Sequence, residues 1–257
     1  MYPGVFSIGP RRRRGIDLRK VEQNLQAAYR KVHVQYRRDD ELEVNTSHHR
    51  RLALILEQIT SSFGHPISVL DMGCGTGRYF HCLKNVERLV GVDLSPEMLQ
   101  AAQVPVRQGE ISAEKIELFQ ANAHLVSLPA ESFDFIYSLG MFGHGCPVTV
   151  DLCNKFCSLL KPGGTLFFNV LELRTLAVVI RMRNKAGRWL RALIPEHWQR
   201  ALEERRPQVP FYGLTKRGLT SVLRASHFRQ FTIFNLRCRS PLWKGIHLEC
   251  EALKEAA

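Results

Sequence analysis

The sequence predicts an α/β fold: a doubly wound, mostly parallel seven-stranded sheet with helices on both faces. Three observations support this. An apolar run ends at Asp71 and leads into the glycine-rich turn 73–78. A second apolar run, typical of a parallel strand buried on both faces, also ends in an acid, Asp93. Strand patterns then alternate with helical patterns as far as residue 171, as expected of a doubly wound sheet.

Two amphipathic helices are predicted ahead of the first strand. Apolar residues recur at three- and four-residue spacing over residues 17–40. A second helix is predicted over residues 47–62, because Gly64 and Pro66 follow it as stop signals. A short helix is expected directly after the glycine turn, where its first N–H groups would be free to bind a ligand.

Seven strands complete the predicted sheet. Pro147 is expected to start a helix that runs to Leu160, and residues 161–164 read as a turn. The last two strands resemble the antiparallel pair of the family named below. The strands are predicted at residues 67–71, 89–93, 116–122, 133–139, 165–171, 228–236 and 244–253.

The patterns divide the chain into parts. The stretch before the sixth strand breaks the alternation; it is rich in arginine and carries Trp189 and Trp198 at helical spacing. We interpret it as a helical cap over the substrate. The predicted parts are a basic flexible tail (1–16), N-terminal helices (17–64) and a main domain (65–257) that includes the cap (172–212).

Charge is distributed unevenly along the 257 residues, whose net charge is +12. Residues 52–171 carry 7 basic and 11 acidic side chains, whereas residues 172–257 carry 17 basic and 7 acidic ones. Basic flanks indicate an anionic partner, although solvated helix faces explain them equally well. The sequence shows no membrane span and no secretory signal, and its seven cysteines lack metal-binding spacing. We therefore expect a cytoplasmic protein with reduced thiols.

The glycine turn predicts a nucleotide cofactor, because glycine lets the backbone approach a ligand closely. A dinucleotide fingerprint would place its third glycine one residue after Gly77. Asp71, just before the turn, suits a cationic ligand better than a pyrophosphate. Asp93, 20 residues after Gly73, can accept hydrogen bonds from ribose hydroxyls. That spacing also occurs in nicotinamide enzymes and does not by itself choose the cofactor.

Residues 69–78 resemble the first motif of the class I S-adenosylmethionine (SAM) methyltransferases, an apolar residue followed by Asp/Glu-x-Gly-x-Gly-x-Gly. Residues 120–139 resemble later motifs of that family, with Asn122 where Asp is frequent. The resemblance, closest to the broad metabolite- and quinone-modifying group, implies a Rossmann-like methyltransferase fold, SAM as cofactor and no metal. The cofactor-binding residues expected are Asp71, Gly73, Cys74, Gly75, Gly77, Asp93, Leu94, Met98, Asn122, Ala123, Ser138 and Leu139.

Candidates for contact with the methyl acceptor are fewer. His144, in the glycine-rich loop after the fourth strand, is the candidate general base, because a histidine titrates near neutrality. It can equally be a polar wall of the pocket. Tyr29 and Tyr36 of the first helix, and Trp189 and Trp198 of the cap, are candidate substrate contacts whose alternative role is core packing.

The resemblance implies in-line transfer of a methyl group to O, N or C of a small anionic or amphipathic molecule. Alignment of the nucleophile supplies much of the acceleration. Two alternatives stay open: a tRNA or RNA methyltransferase that uses the basic flanks, and a non-catalytic SAM-binding partner subunit. A nicotinamide dehydrogenase is a more distant one. The sequence does not specify the acceptor atom or the oligomeric state.

Overall fold

The structure is a computed structural model that describes residues 6–7, 18–41, 47–143, 145–174, 212–236 and 247–256. Single-turn 3₁₀ helices lie at Phe80–Cys82 and Gln108–Glu110. The other described elements are β1 (Phe6–Ser7), α1 (Leu18–Glu41), α2 (Ser47–Ser61), β2 (Ile67–Met72), β3 (Val86–Asp93), α3 (Pro96–Ala102), β4 (Lys115–Gln120), β5 (Phe133–Phe142), α4 (Val150–Leu159), β6 (Leu160–Leu171), β7 (Tyr212–Gly213), α5 (Lys216–Ala225), β8 (Gln230–Phe234) and β9 (His247–Leu253).

Seven strands form one sheet in the order β4-β3-β2-β5-β6-β9-β8. Pairing is parallel from β4 to β6, and β9 is antiparallel to both β6 and β8. Every residue of β2 is buried, because helices cover both faces of the sheet at this strand. α2 and α3 pack on one face, and α4 and α5 pack on the other. The predicted doubly wound, seven-stranded fold is confirmed.

The chain order places a switch point beside β2. The strands run outward from β2 to β3 and β4, and the chain then returns to β5 on the opposite side of β2. In open α/β sheets, ligands bind beyond the carboxyl ends of the strands at such a point. The glycine turn leaves β2 at that edge, so the fold locates the candidate site there.

One predicted element is wrong. The glycine turn does not lead into an α-helix but into further turns and the 3₁₀ helix Phe80–Cys82. β3 starts at Val86, and Asn85 already has a left-handed backbone with φ of 55°. The left-handed Asn85 and the start of β3 thus end the segment after a single 3₁₀ turn. Free N–H groups at a helix start therefore do not build this site.

Several boundaries also differ from the prediction, and two of the differences have a clear structural cause. α4 begins at Val150 rather than at Pro147, because the Thr149 hydroxyl accepts a hydrogen bond from the Leu152 N–H (3.2 Å) and caps the helix. The predicted turn at 161–164 is part of β6. There, the Gly163 N–H donates to the Lys254 carbonyl (3.2 Å), which extends the pairing with the chain after β9.

The N-terminal helices are observed close to their predicted positions, as α1 and α2. Within the predicted tail, β1 pairs antiparallel with β7. Most of the predicted cap lies outside the described residues, so the proposed division into tail, helices and capped domain stays a prediction. None of the helices that the structure describes is long and apolar enough to span a membrane.

Candidate functional site

The glycine turn is folded tightly onto the end of β3. The N–H groups of Gly73 and Cys74 both donate to the Val92 carbonyl, at 2.7 and 3.1 Å. Gly73 has a φ of 84°, and a Cβ there would lie 2.9 Å from the Met141 Cβ. Gly75 has a φ of 54°, yet a Cβ there would meet no atom within 4 Å. The first glycine therefore serves packing, whereas the middle one borders open space.

Gly77 and Cys74 complete the turn. Gly77 has a φ of 75°, and a Cβ there would lie 2.8 Å from the Phe80 ring. The Cys74 side chain is buried and faces Gly91 of β3, where an added Cβ would lie 3.0 Å from the Cys74 sulfur. Burial raises the pKa of the Cys74 thiol, so it acts as an apolar packing group. Both residues shape the turn through packing.

Asp93 at the tip of β3 is held by backbone donors. Its Oδ2 accepts from the Gly75 N–H and its Oδ1 from the Ser95 N–H, both at 2.9 Å. Burial raises the pKa of Asp93, and these hydrogen bonds lower it. Each oxygen keeps acceptor capacity for a ligand hydroxyl. The carboxylate is thus oriented at the open side of Gly75.

Asp71 is buried at the carboxyl end of β2, between Gly91 of β3 and Tyr137 of β5. Burial raises the pKa of Asp71 to about 8, and the charge of Asp93 adds to this; the Tyr137 phenol acts in the opposite direction. That phenol is close to Asp71 but makes no hydrogen bond of regular geometry. A cation brought by a ligand would favour the charged carboxylate.

Helix α1 crosses the carboxyl ends of β3 and β4. The Gln26 amide donates to the Leu94 carbonyl (3.3 Å), and the Asn122 amide donates to Glu22 (3.5 Å). Tyr29, half-buried on the same helix, lies close enough to Asp93 for that charge to contribute to its raised pKa, after burial. α1 therefore covers the predicted cofactor region.

The C-terminal end of α1 is clamped onto the glycine turn. Asp40 is buried; it accepts a short hydrogen bond from the Thr76 hydroxyl and forms an ion pair with Arg78. The Arg78 guanidinium also lies 6.0 Å from the ring centroid of Tyr36, which is 44% exposed, and within 3.2 Å of His49. Sequence reasoning missed Asp40, because it precedes its partners by more than 35 positions without a local pattern.

The predicted adenine-side residues divide into two groups. Leu94 and Asn122 lie half-buried at the strand ends, where α1 contacts them. The Asn122 Oδ1 also accepts from the His124 N–H (2.9 Å), which fixes the turn after β4. Met98 and Ala123 are buried. Ala123 belongs to the core packed around α4, so a role in packing accounts for it.

β5 is tied to β2 at the switch point. The buried Ser138 hydroxyl donates to the Met72 carbonyl (2.7 Å), and Leu139 is half-buried beside it. The next N–H, of Gly140, donates to Asn169 (2.8 Å). Gly140 has a φ of 82°, and a Cβ there would meet no atom within 4 Å. The loop after β5 thus borders open space, as Gly75 does.

Three predicted site residues, His144, Trp189 and Trp198, lie outside the described residues. The structure brings the others together at one edge of the sheet, although Met98 and Ala123 point into packed surroundings. Over the described ranges, no group of three or more His, Cys, Asp or Glu side chains is arranged to hold a metal ion.

Residues 69–164, from β2 into the start of β6, match a family model described as a methyltransferase domain. This part of the chain is similar to a methyltransferase domain. Its sequence is similar to the ubiquinone biosynthesis O-methyltransferases of Coxiella burnetii and Xanthomonas campestris. The chain is 30% identical to the first over 123 residues and 30% identical to the second over 105 residues.

These matches cover 48% and 40% of this chain, and 50% and 43% of the relatives. The chain thus spans half or less of the curated relatives it matches. Solved methyltransferases share the fold of the domain. A Burkholderia thailandensis 1,6-didemethyltoxoflavin-N1-methyltransferase with bound S-adenosylhomocysteine is 18% identical, with a TM-score of 0.61 over 98% of this chain and 95% of that one.

A SAM-dependent methyltransferase from Thermotoga maritima is 16% identical, with a TM-score of 0.59 over 89% of this chain and 99% of that one. At these identities the likeness concerns the fold. The class I methyltransferase fold predicted from the glycine turn and the alternation of strands with helices is therefore confirmed, including the elements beyond residue 164.

Proposed function

We propose that this chain is a SAM-dependent methyltransferase that methylates a hydroxyl group of a small aromatic acceptor. One observation carries the cofactor assignment. The middle glycine of the turn, Gly75, faces open space and donates its N–H to the carboxylate of Asp93. The open space beside Gly75 can hold a nucleoside, and the oriented Asp93 carboxylate next to it can accept hydrogen bonds from the ribose hydroxyls.

The other residues at the edge fit the rest of SAM. Asp71 supplies a buried acid whose charged form a cationic ligand would favour. Leu94 and Asn122, under α1, are suited to the adenine, and the backbone of Ser138 and Leu139 to the methionyl group. SAM supplies an electrophilic methyl group on a sulfonium. The chain's own residues bind it, align the acceptor and exclude water.

The acceptor class is inferred from the sequence relatives, whose names describe O-methylation in ubiquinone biosynthesis. Each of these matches covers half or less of the relative, so the acceptor class is inferred from part of the chain. For a phenolic acceptor, Tyr29 and Tyr36 of α1 remain candidate contacts. On sequence grounds, we retain His144 as a candidate general base, and Trp189 and Trp198 as candidate acceptor contacts.

A second candidate function is methylation of RNA. The observation that favours it is charge: residues 172–257 carry ten more basic than acidic side chains. Phosphate binding by such a surface weakens steeply as salt rises. A non-catalytic SAM-binding subunit remains the third candidate, and cofactor binding without turnover would distinguish it.

Two experiments test the proposal. Calorimetry with S-adenosylhomocysteine should show binding that falls at least tenfold in Asp93→Asn, because the ribose acceptor is weakened, and is unchanged in the surface control Glu114→Gln. Labelled-methyl SAM incubated with the protein and a cell extract should place label in the organic-soluble fraction. Label in an RNase-sensitive fraction would instead support the RNA candidate, and a wild-type protein without cofactor binding would contradict the proposal.

A further inference from the structure

A second polar cluster lies at the carboxyl edge of the sheet, between α2 and β9. It consists of His48 at the start of α2, and His247 and Glu249 on β9. The Glu249 side chain is fully buried, and its Oε1 lies 3.9 Å from the Nε2 of His48. The rings of His48 and His247 are stacked with centroids 5.2 Å apart. The cofactor assignment above involves none of these three residues.

Two buried polar atoms of the cluster have no hydrogen-bond partner. The Glu249 Oε2 accepts from the Leu236 N–H (3.0 Å), but Oε1 has no partner, and neither has the His48 Nε2. Their separation of 3.9 Å is too long for a hydrogen bond. A buried polar group without a hydrogen-bond partner destabilises the folded state. Two such atoms facing each other therefore call for a function rather than a packing role.

The cluster lies at the same edge of the sheet as the candidate cofactor site. Glu249 is paired across strands with Asn169, whose Oδ1 accepts from Gly140 in the loop that follows β5. On its other side, His49, which follows His48 in α2, contacts Arg78 of the glycine turn. The cluster is thus connected both to the loop after β5 and to the glycine turn.

The electrostatics suit proton transfer. Burial raises the pKa of Glu249 to about 7 and lowers the pKa of His48 below its usual value. The other titratable or charged groups around the cluster are His247, His49 and Arg78; burial and then Arg78 lower the pKa of His49 to about 4. At neutral pH, His48 is neutral and can accept a proton, while Glu249 is close to its titration midpoint and can stabilise the imidazolium.

We propose that His48 and Glu249 form the acid–base pair that removes the proton of a phenolic acceptor; this rests on the proposed function. The acceptor oxygen forms a bond to the methyl carbon, the sulfur–carbon bond breaks with its electron pair left on sulfur, and the O–H proton passes to His48. Glu249 stabilises the imidazolium through Nε2. The products are the methyl ether, S-adenosylhomocysteine and one proton, released later to solvent.

Two probe acceptors of different acidity test the pair. Catechol is protonated at neutral pH and requires a base, whereas 4-nitrocatechol is already largely ionised and does not. In His48→Gln and Glu249→Gln, we expect the single-turnover rate with catechol to fall at least tenfold, and the rate with 4-nitrocatechol to change less than threefold. Matched controls are His33→Gln on α1 and Glu251→Gln, which lies on the same face of β9. Both should retain the wild-type rates.

The outcomes separate the two proposals. Calorimetry with S-adenosylhomocysteine should give wild-type affinity for both variants, which shows that they are folded and that the cofactor site is intact. Equal losses on the two probes, or no loss with catechol, would overturn the acid–base assignment and leave the methyltransferase proposal standing. If the wild-type protein binds the cofactor product but methylates neither probe, the phenolic acceptor and the pair are both wrong. Absence of cofactor binding overturns the proposed function itself.

Discussion

Asp71 is held in the sheet at an electrostatic cost. Its pKa of about 8, raised by burial, means that the unfolded chain releases this proton at lower pH than the folded protein does. Between about pH 4 and pH 8 the folded state binds more protons, so this group makes stability fall as pH rises. Such a cost is typical of a carboxyl retained for a ligand.

Asp71→Asn should therefore stabilise the ligand-free protein. We expect a gain of about 2 kcal/mol at pH 8, or a melting-temperature rise of roughly 4–8 °C, that shrinks toward pH 4. Thermal melts across this range provide the measurement. Asp134→Asn is the matched control, because this buried acid is paired with Lys161 and the Ser68 N–H, and its removal should destabilise. Equal melting temperatures for wild type and Asp71→Asn at pH 8 would contradict the assignment.

The first and middle glycines of the turn should respond differently to alanine. Both have positive φ, which costs about 1–2 kcal/mol for a residue with a Cβ. Gly73→Ala adds a clash with Met141, whereas Gly75→Ala points its methyl into open space. We expect Gly73→Ala to lower the melting temperature more, and Gly75→Ala to lose at least tenfold in affinity for S-adenosylhomocysteine while staying folded. Unchanged affinity in Gly75→Ala would show that the space is not the cofactor cradle.

Sequence reasoning succeeds at this scale where the signal is local. The glycine turn and Asp93 were predictable because only certain residue types permit positive φ or end a parallel strand in a carboxylate. Asp40 and Glu249 were not predictable, since their roles depend on partners far away in sequence, Thr76 and His48, that only the fold brings near.

At the scale of elements, α1 connects the turn to the strands it covers. Asp40 binds Thr76 and Arg78, and Arg37 donates to the Ala101 carbonyl at the end of α3 (3.4 Å). The helix is therefore fixed at the glycine turn and beside α3. If the position of α1 sets cofactor affinity, the clamp should matter more than the exposed contacts along the helix.

Loss of the clamp is expected to weaken cofactor binding. Asp40→Ala leaves Arg78 without its buried partner, and breaking such a pair costs about 3–5 kcal/mol. We expect at least a tenfold loss of affinity for S-adenosylhomocysteine by calorimetry at a temperature where the variant is folded, with partial recovery in Asp40→Glu. Glu97→Gln removes the exposed ion pair with Arg30 and should have little effect. Equal affinities in all variants would show that α1 is a passive cover.

The same scale explains where prediction of elements failed. The motif resembled a strand followed by a helix, but the segment between Gly77 and Asn85 forms turns and one 3₁₀ helix, and the left-handed backbone of Asn85 leads directly into β3. Thr149 carried a capping signal that Pro147 obscured. The seven strands and their doubly wound, mostly parallel arrangement were predicted correctly, because apolar runs and the alternation of strands with helices are visible in the sequence.

At the scale of the molecule, the charge asymmetry separates the candidate acceptors. Residues 52–171 carry more acidic than basic side chains, whereas residues 1–51 and 172–257 carry more basic than acidic ones. If the acceptor is a small phenol, raising salt from about 50 to 200 mM should change the transfer rate less than twofold, whereas RNA binding through several phosphates would fall by orders of magnitude. Rates with catechol and with bulk tRNA at both salt concentrations distinguish the two.

The position of β9 has a consequence for synthesis of the chain. β9 follows β8 in sequence but lies between β6 and β8 in the sheet, so β8 reaches the other strands only through β9. Until residues 247–253 have left the ribosome, the apolar edge of β6 that pairs with β9 is exposed. In the same interval β8, which follows α5, has no strand of the sheet with which to pair. Nascent chains arrested before that point should recruit chaperones, and the domain should acquire protease resistance only in one late step.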